Sequence, residues 1–224
     1  MIDILVATID EARRPGGLEH APAHTVALDT RAPWAAAANA LLDGAAARGH
    51  DALFLDDDVT LHAASLALLP AYYDKADVFG FTLMSGGGVA SAGLVANGSA
   101  GLTPPESIRD ILTPAYVAHV TTSAIYIKAS VLRAGVRFPV WPGAHHEDVA
   151  FTYACWLAGF KVAYLPGVID HPLTPHGAGA TKSSDPEFNP KRQMNAQHLA
   201  VWVEQAGVLS AIQAGRIPTK RWAI

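Results

Sequence analysis

Three consecutive carboxylates, Asp56, Asp57 and Asp58, close a short apolar run at 53–55. Two unit charges ~4 Å apart repel by about 1 kcal/mol in water and about 4 kcal/mol at the effective dielectric of a protein surface. The acids therefore either fan out into water or gather around a cation. If the run is a strand, its side chains alternate faces, so Asp56 and Asp58 share one side while Asp57 points to the other. Two carboxylates beyond the carboxyl end of a strand suit Mg²⁺ or Mn²⁺ and leave coordination positions for phosphate oxygens. The competing reading is that Asp57 or Asp58 caps a helix expected from Thr60.

Two further groups bear on that choice. In "HHEDVAF", Glu147 and Asp148 fall in the first turn of an expected helix, where the macrodipole favours the ionised form. Ordinary charge complementarity explains the placement, and so does a general base that stays ionised until it takes a hydroxyl proton. In "YLPGVIDHP", His171 follows an expected strand and offers an imidazole to the same metal, or is a solvated loop side chain.

The elements that must position these groups read as one α/β domain. The chain has 224 residues, half of them apolar, enough for one sizeable core and too few for two ordinary domains. Strands are expected at 2–8, 24–30, 51–56 and from 76, with helices at 33–48 and 60–69, the latter stopped by Pro70. The uncharged stretch 78–105 carries seven glycines and three serines, too polar and flexible for a bilayer span; it reads as a strand and then a mobile loop over 85–101. A strand and short helix over 116–135, a helix from Glu147 to the region of Gly159, and a strand ending at Pro166 follow. Residues 174–190 read as a loop and 193–213 as a final amphipathic helix. Both loops are expected to serve as lids.

The formal charge of −4 offers no basic footprint for a nucleic-acid backbone, so nucleic acid is not a favoured partner. The sole cysteine, Cys155, reads as core filler and suits a reducing compartment. The first residues lack the basic start and small-residue cleavage site of an export signal, and no integral membrane segment is visible. A cytoplasmic location is expected.

In the order "FLDDD", "ADVFG", "TSAIYIKASVLRAGVRFP", "HEDVAFTYACWLAGFKVAYLP" and "DHP", over residues 2–172, the chain resembles family 2 glycosyltransferases with the GT-A fold. The resemblance implies a single Rossmann-like α/β domain with a mixed, mostly parallel central sheet flanked by helices. Its nucleotide-binding half would run to about residue 60, its acceptor and catalytic half over 61–172, and a mobile loop and helix over 173–224. It implies metal-dependent, inverting transfer of a sugar from a nucleotide-diphosphate sugar, a UDP-sugar first, to an acceptor hydroxyl, with Mn²⁺ or Mg²⁺ as cofactor.

Position by position, Asp56 and Asp58 match the DxD motif, the first near the nucleotide ribose and the second on the metal, with Asp57 grouped among the donor-binding residues. Asp148 matches the catalytic base, with Glu147 beside it. His171 sits where some members supply a further metal ligand or diphosphate contact. Thr8, Asp10 and Asp29 lie where the first two strands hold the nucleotide base, although Asp29-Thr30 replaces the usual double acid. His145 and His146 stand where a glycine is frequent, and the absence of a QxxRW sequence separates the chain from processive membrane-bound synthases. Lys182, Lys191 and Arg192 flank the late loop and could close over a diphosphate, or are solvated.

Three other readings stay open on sequence. A zinc hydrolase would use His145, His146, His171 or His176, whose spacing fits no common ligand pattern. A nucleotidyltransferase would use a basic glycine-rich loop after the first strand, where Arg13, Arg14, Gly16 and Gly17 lie. A silent binding module would keep the fold and grip a nucleotide or glycan without turnover.

Overall fold

The computed structural model describes residues 1–8, 15–16, 23–27, 33–142, 146–171 and 188–224. The first apolar run forms β1 (Ile2–Thr8), parallel to β2 (Ala23–Ala27). In α1 (Trp34–Arg48), Ala35, Ala38, Leu42 and Ala45 recur at helical spacing and are fully buried, so this stripe is the face laid on the sheet. The helix opens after Pro33 and ends at Gly49, as the sequence predicts. On the other flank of β1 lies β3 (Asp51–Asp56), again parallel.

The next stretch departs from expectation. Instead of one helix over 60–69, the chain makes a two-residue strand, β4 (Thr60–Leu61), then two short helices, α2 (Ala63–Leu66) and α3 (Leu69–Tyr72). Pro70 opens α3 rather than ending a helix, because a proline in the first turn gives up an N–H that has no intrahelical acceptor anyway. After β5 (Val78–Ser85), the glycine-rich stretch expected as a mobile loop is paired structure. β6 (Gly88–Ser91) turns back antiparallel on β5, and β7 (Val95–Ala96) pairs with β8 (Leu102–Thr103).

A capping box between Ser107 and Asp110 opens α4 (Ile108–Leu112). Then come β9 (Ala115–Tyr116), β10 (Ala124–Ile127), α5 (Ala129–Arg133), α6 (Glu147–Leu157) and β11 (Val162–Asp170). The last of these runs through Pro166, its expected end; a register irregularity between Tyr164 and Val168 absorbs the proline. The single helix expected over 193–213 is two, α7 (Phe188–Gln205) and α8 (Val208–Gln213), separated at Gly207 with φ 73°. β12 (Trp222–Ala223) adds an edge strand.

The main sheet has the order β12-β9-β11-β5-β10-β3-β1-β2 and is mixed. β1 runs parallel to β2 and β3, β5 runs parallel to β11, and β10 lies antiparallel between β3 and β5. Period-two alternation feeds two cores. Phe54, Val78, Ile125 and Ile127 face the cluster shared with α1, α5, α6 and α8, whereas Leu53, Leu55, Phe79, Phe81 and Tyr126 face the one shared with Leu66 and Leu69. Cys155 is buried in the first cluster, as expected of core filler. Among the described residues no helix is long and apolar enough to cross a membrane.

β4 is small but held from both sides. Gly16 donates its N–H to Val59 O (2.8 Å) and accepts from Leu61 N–H (3.0 Å), while Thr60 and Leu61 face Asp170 and Ile169 of β11. A Cβ on Gly16 would stand 2.5 Å from Thr60 Oγ1, so the absence of a side chain is what lets these two backbones meet.

Candidate active site

β3 ends at Asp56, whose N–H donates to Ser123 O (3.1 Å), and Asp57 and Asp58 form the turn into β4. Strand alternation therefore does not reach Asp58; the turn brings its carboxylate round. No helix starts at Thr60 for Asp57 or Asp58 to cap. His171 follows β11 directly, its N–H bonded to Met84 O (2.8 Å). Because β4 ties the acidic turn to the end of β11, Asp58 and His171 meet, with His171 Nε2 3.4 Å from Asp58 Oδ1 and both side chains largely shielded. One ligand atom from each of Asp56, Asp58 and His171 lies within 4.8 Å of the others. Asp57 is not part of this group, and neighbouring Asp170 engages His62 (2.7 Å) instead.

An octahedral ion with bonds of about 2.1 Å puts adjacent ligand atoms about 3 Å apart and opposite ones about 4.2 Å apart. The 3.4 Å edge between His171 and Asp58 is close to the first value, and a small inward movement of the trio meets the second. The three side chains fit a divalent ion.

Glu147 and Asp148 occupy the first turn of α6, as predicted. Glu147 is buried, whereas the Asp148 side chain is 25% exposed. Asp148 Oδ1 accepts the N–H of Val149 (2.8 Å), and Oδ2 lies 3.6 Å from Nε2 of buried His119. His146, at the position where a glycine was expected, takes φ 67°, a left-handed conformation that costs a non-glycine residue roughly 1–2 kcal/mol. Burial lowers its proton affinity first, Asp148 opposes that, and Arg192 adds to it, so Arg192 of α7 acts electrostatically on this helix start.

A short segment links the two acidic groups. His119 touches the Asp148 end and Ser123 the Asp56 end. Four residues of fully extended chain span no more than about 14 Å, which bounds the distance between those two anchors. Gly80 of β5 makes room for this segment, since a Cβ there would stand 2.3 Å from Val120 Cβ.

The remaining sequence-derived candidates are placed as follows. Thr8 ends β1 with its backbone paired to Ala27, and its side chain is outside the described set. Asp10, Asp29, Arg13, Arg14, Gly17, His145, His176 and Lys182 lie outside the described residues, as do the Lys191 side chain and most of the expected 174–190 loop. Gly16, considered for a phosphate loop, is instead engaged in backbone pairing with β4. Of the histidines considered for zinc, His171 joins the two aspartates and His146 sits with Asp148. His119 escaped the sequence reading; its one signal is a polar residue inside the apolar run "YVAHV". A cavity of about 270 Å³ lined by Glu106, Asp110, Lys220 and Arg221 shares no residue with either acidic group.

This architecture, an α/β fold with a mixed central sheet, is that of GT-A glycosyltransferase domains. No family model matches the sequence, and no curated protein matches it closely enough to count as a relative. Among solved structures, the chain is similar to TarS of S. aureus, with TM-score 0.52 at 16% identity over 88% of this chain and 42% of that one. It is also similar to residues 1–349 of TarS in complex with UDP-GlcNAc (TM-score 0.47, 16% identity, 77% and 59% covered). A third similar structure is GalNAc-T7 with UDP, GalNAc and Mn²⁺ (TM-score 0.48, 12% identity, 82% and 42% covered). The chain thus spans less than two thirds of each of these proteins. The likeness to TarS at TM-score 0.52 is one of fold.

Proposed function

We propose that this protein is a metal-dependent, inverting glycosyltransferase of the family 2 type, moving a sugar from a nucleotide-diphosphate sugar, a UDP-sugar first, to an acceptor hydroxyl. The observation that carries this reading is the convergence of Asp56, Asp58 and His171 beyond the carboxyl end of β3 in a GT-A sheet, the edge where open α/β sheets bind their ligands. Asp58 and His171 would hold the ion, with Asp56 turned to the donor ribose. A carboxylate and an imidazole favour Mn²⁺ over Mg²⁺. A divalent ion held by these residues would neutralise the charge that develops on the diphosphate leaving group. Asp57, and Thr8, Asp10 and Asp29 at or after the first two strands, complete the donor site.

Asp148 serves as base, with Glu147 behind it in the same helical turn. Its Oδ1 is occupied by the Val149 N–H, which leaves Oδ2 to take the hydroxyl proton. Attack on the anomeric carbon from the face opposite the diphosphate inverts its configuration in one displacement, with no covalent sugar intermediate.

The test is a panel of UDP-sugars assayed for binding and for slow UDP release into water, with Mn²⁺, Mg²⁺ or chelator, on wild type and Asp148→Asn. The expected result is metal-dependent release that falls about 100-fold or more in the variant while donor affinity holds within about twofold. Undiminished turnover in Asp148→Asn contradicts the assignment of the base and favours another chemistry, whereas donor binding with no turnover in wild type favours a binding module.

A further inference from the structure

His119 is 4% exposed, and its backbone is fixed by reciprocal hydrogen bonds with Leu94 (N–H to Leu94 O, 3.0 Å; Leu94 N–H to His119 O, 2.9 Å). Its Nδ1 lies 3.1 Å from Thr152 Oγ1, and that hydroxyl also lies 3.0 Å from Val149 O and 3.1 Å from Asp148 O. A threonine hydroxyl has one hydrogen and two lone pairs. Given to a helix carbonyl, that hydrogen leaves Oγ1 as an acceptor, so the bond to the ring must come from Nδ1–H. A neutral imidazole carries one N–H, hence Nε2 is bare and turns its lone pair to Asp148 Oδ2. Two acceptors facing each other make no hydrogen bond, and the 3.6 Å between them is longer than one.

We propose that His119 is a positioning residue for Asp148, its Nε2 accepting a hydrogen bond from the Oδ2–H that forms when Asp148 removes the acceptor's hydroxyl proton. This rests on the reading of Asp148 as base. The acceptor O–H breaks as Oδ2–H forms; the oxygen's electron pair makes the new glycosidic bond, and the old C–O pair leaves with the diphosphate. In the ground state the Nε2 lone pair and the charged Oδ2 face each other and repel, and that repulsion falls as the proton arrives on Oδ2, which lowers the barrier; the Oδ2–H turns to Nε2 once the acceptor oxygen has released it. Burial keeps the ring neutral against the opposing pull of Asp148 and a hydrogen bond to the Asp148 backbone; His146 is the other titratable group acting on it, in the same sense as burial.

Imidazole ¹⁵N NMR of the ligand-free protein at pH 7.5 tests the premise without a substrate. A neutral His119 ring protonated on Nδ1 is expected; an Nε2–H tautomer or an imidazolium overturns the proposal. UDP release from UDP-sugars with Mn²⁺ tests the consequence. His119→Asn keeps an amide near the place of Nδ1 and deletes Nε2, whereas His119→Gln restores a polar atom at Nε2. The expected loss in kcat is about 10- to 100-fold for the Asn variant, with donor KM within about twofold and partial recovery in the Gln variant. Unchanged kcat in His119→Asn beside an inactive Asp148→Asn overturns this inference and leaves the base in place. Full activity in Asp148→Asn removes both.

Discussion

His119 gives up solvation for a fixed place beside Asp148, and this exchange has a pH signature. Its folded proton affinity is lowered, chiefly by burial, and that of His146 is lowered for the same leading reason. Below the ordinary histidine value of about 6.5 the unfolded chain therefore binds more protons than the native one. The sign follows: the full stability is present above that value and is lost as pH falls, by up to about 1.4 kcal/mol per pH unit for each histidine. Urea unfolding at pH 7.5 and 5.5 should show a smaller drop for His119→Gln than for wild type; equal drops would mean that the native ring takes up protons as readily as the unfolded one. Asp51 shows what a purely structural acid looks like in the same strand. It is buried and accepts from the Tyr73 and Tyr126 hydroxyls and from the Ala129 N–H (2.8 Å), which anchors the start of α5. One strand thus begins with an acid devoted to packing and ends at Asp56, an acid grouped with Asp58 and His171.

Among the elements, the short ones set the site. β4 binds the acidic turn to the end of β11, and the 119–123 segment binds the Asp56 end to the Asp148 end. Gly80 is the point at which that segment depends on the sheet beneath it. Gly80→Ala drives a methyl into Val120 and should cost roughly 1–3 kcal/mol by urea denaturation. Gly80→Ala with Val120→Gly should cost less than the two single changes added together, because the second removes the Cβ and both methyls that the first would strike. Strict additivity would mean that β5 and the 119–123 segment do not press on one another. These same short elements are where sequence reading fails. The long periodic pieces, β1, α1, β3, β5 and α6, were legible because local alternation or helical spacing decides them. β4 was not, since its two residues gain partners from Gly16 and from β11, more than a hundred positions away. Pro70 reads as a stop signal in the sequence, and its place in a first turn makes it a start.

For the whole molecule, the mixed sheet and two-sided core place the GT-A architecture on firm ground, while identities of 12–16% to the similar structures leave the reaction to be argued from side chains. The candidate site was legible in part for a physical reason. Asp56, Asp58, Asp148 and His171 announce themselves as charge or imidazole at element ends, whereas His119 gains meaning only from packing against Thr152, 33 positions on. Asp58 reaches the side of Asp56 through a turn clipped by β4, where the sequence pattern suggests strand alternation. The most direct measurement is anomalous diffraction at the manganese edge from crystals grown with Mn²⁺ and UDP. One peak at about 2.1 Å from both Asp58 and His171, with the UDP diphosphate against it, is the expected result. UDP bound with no manganese at those residues, or manganese bound elsewhere, would contradict the proposed site.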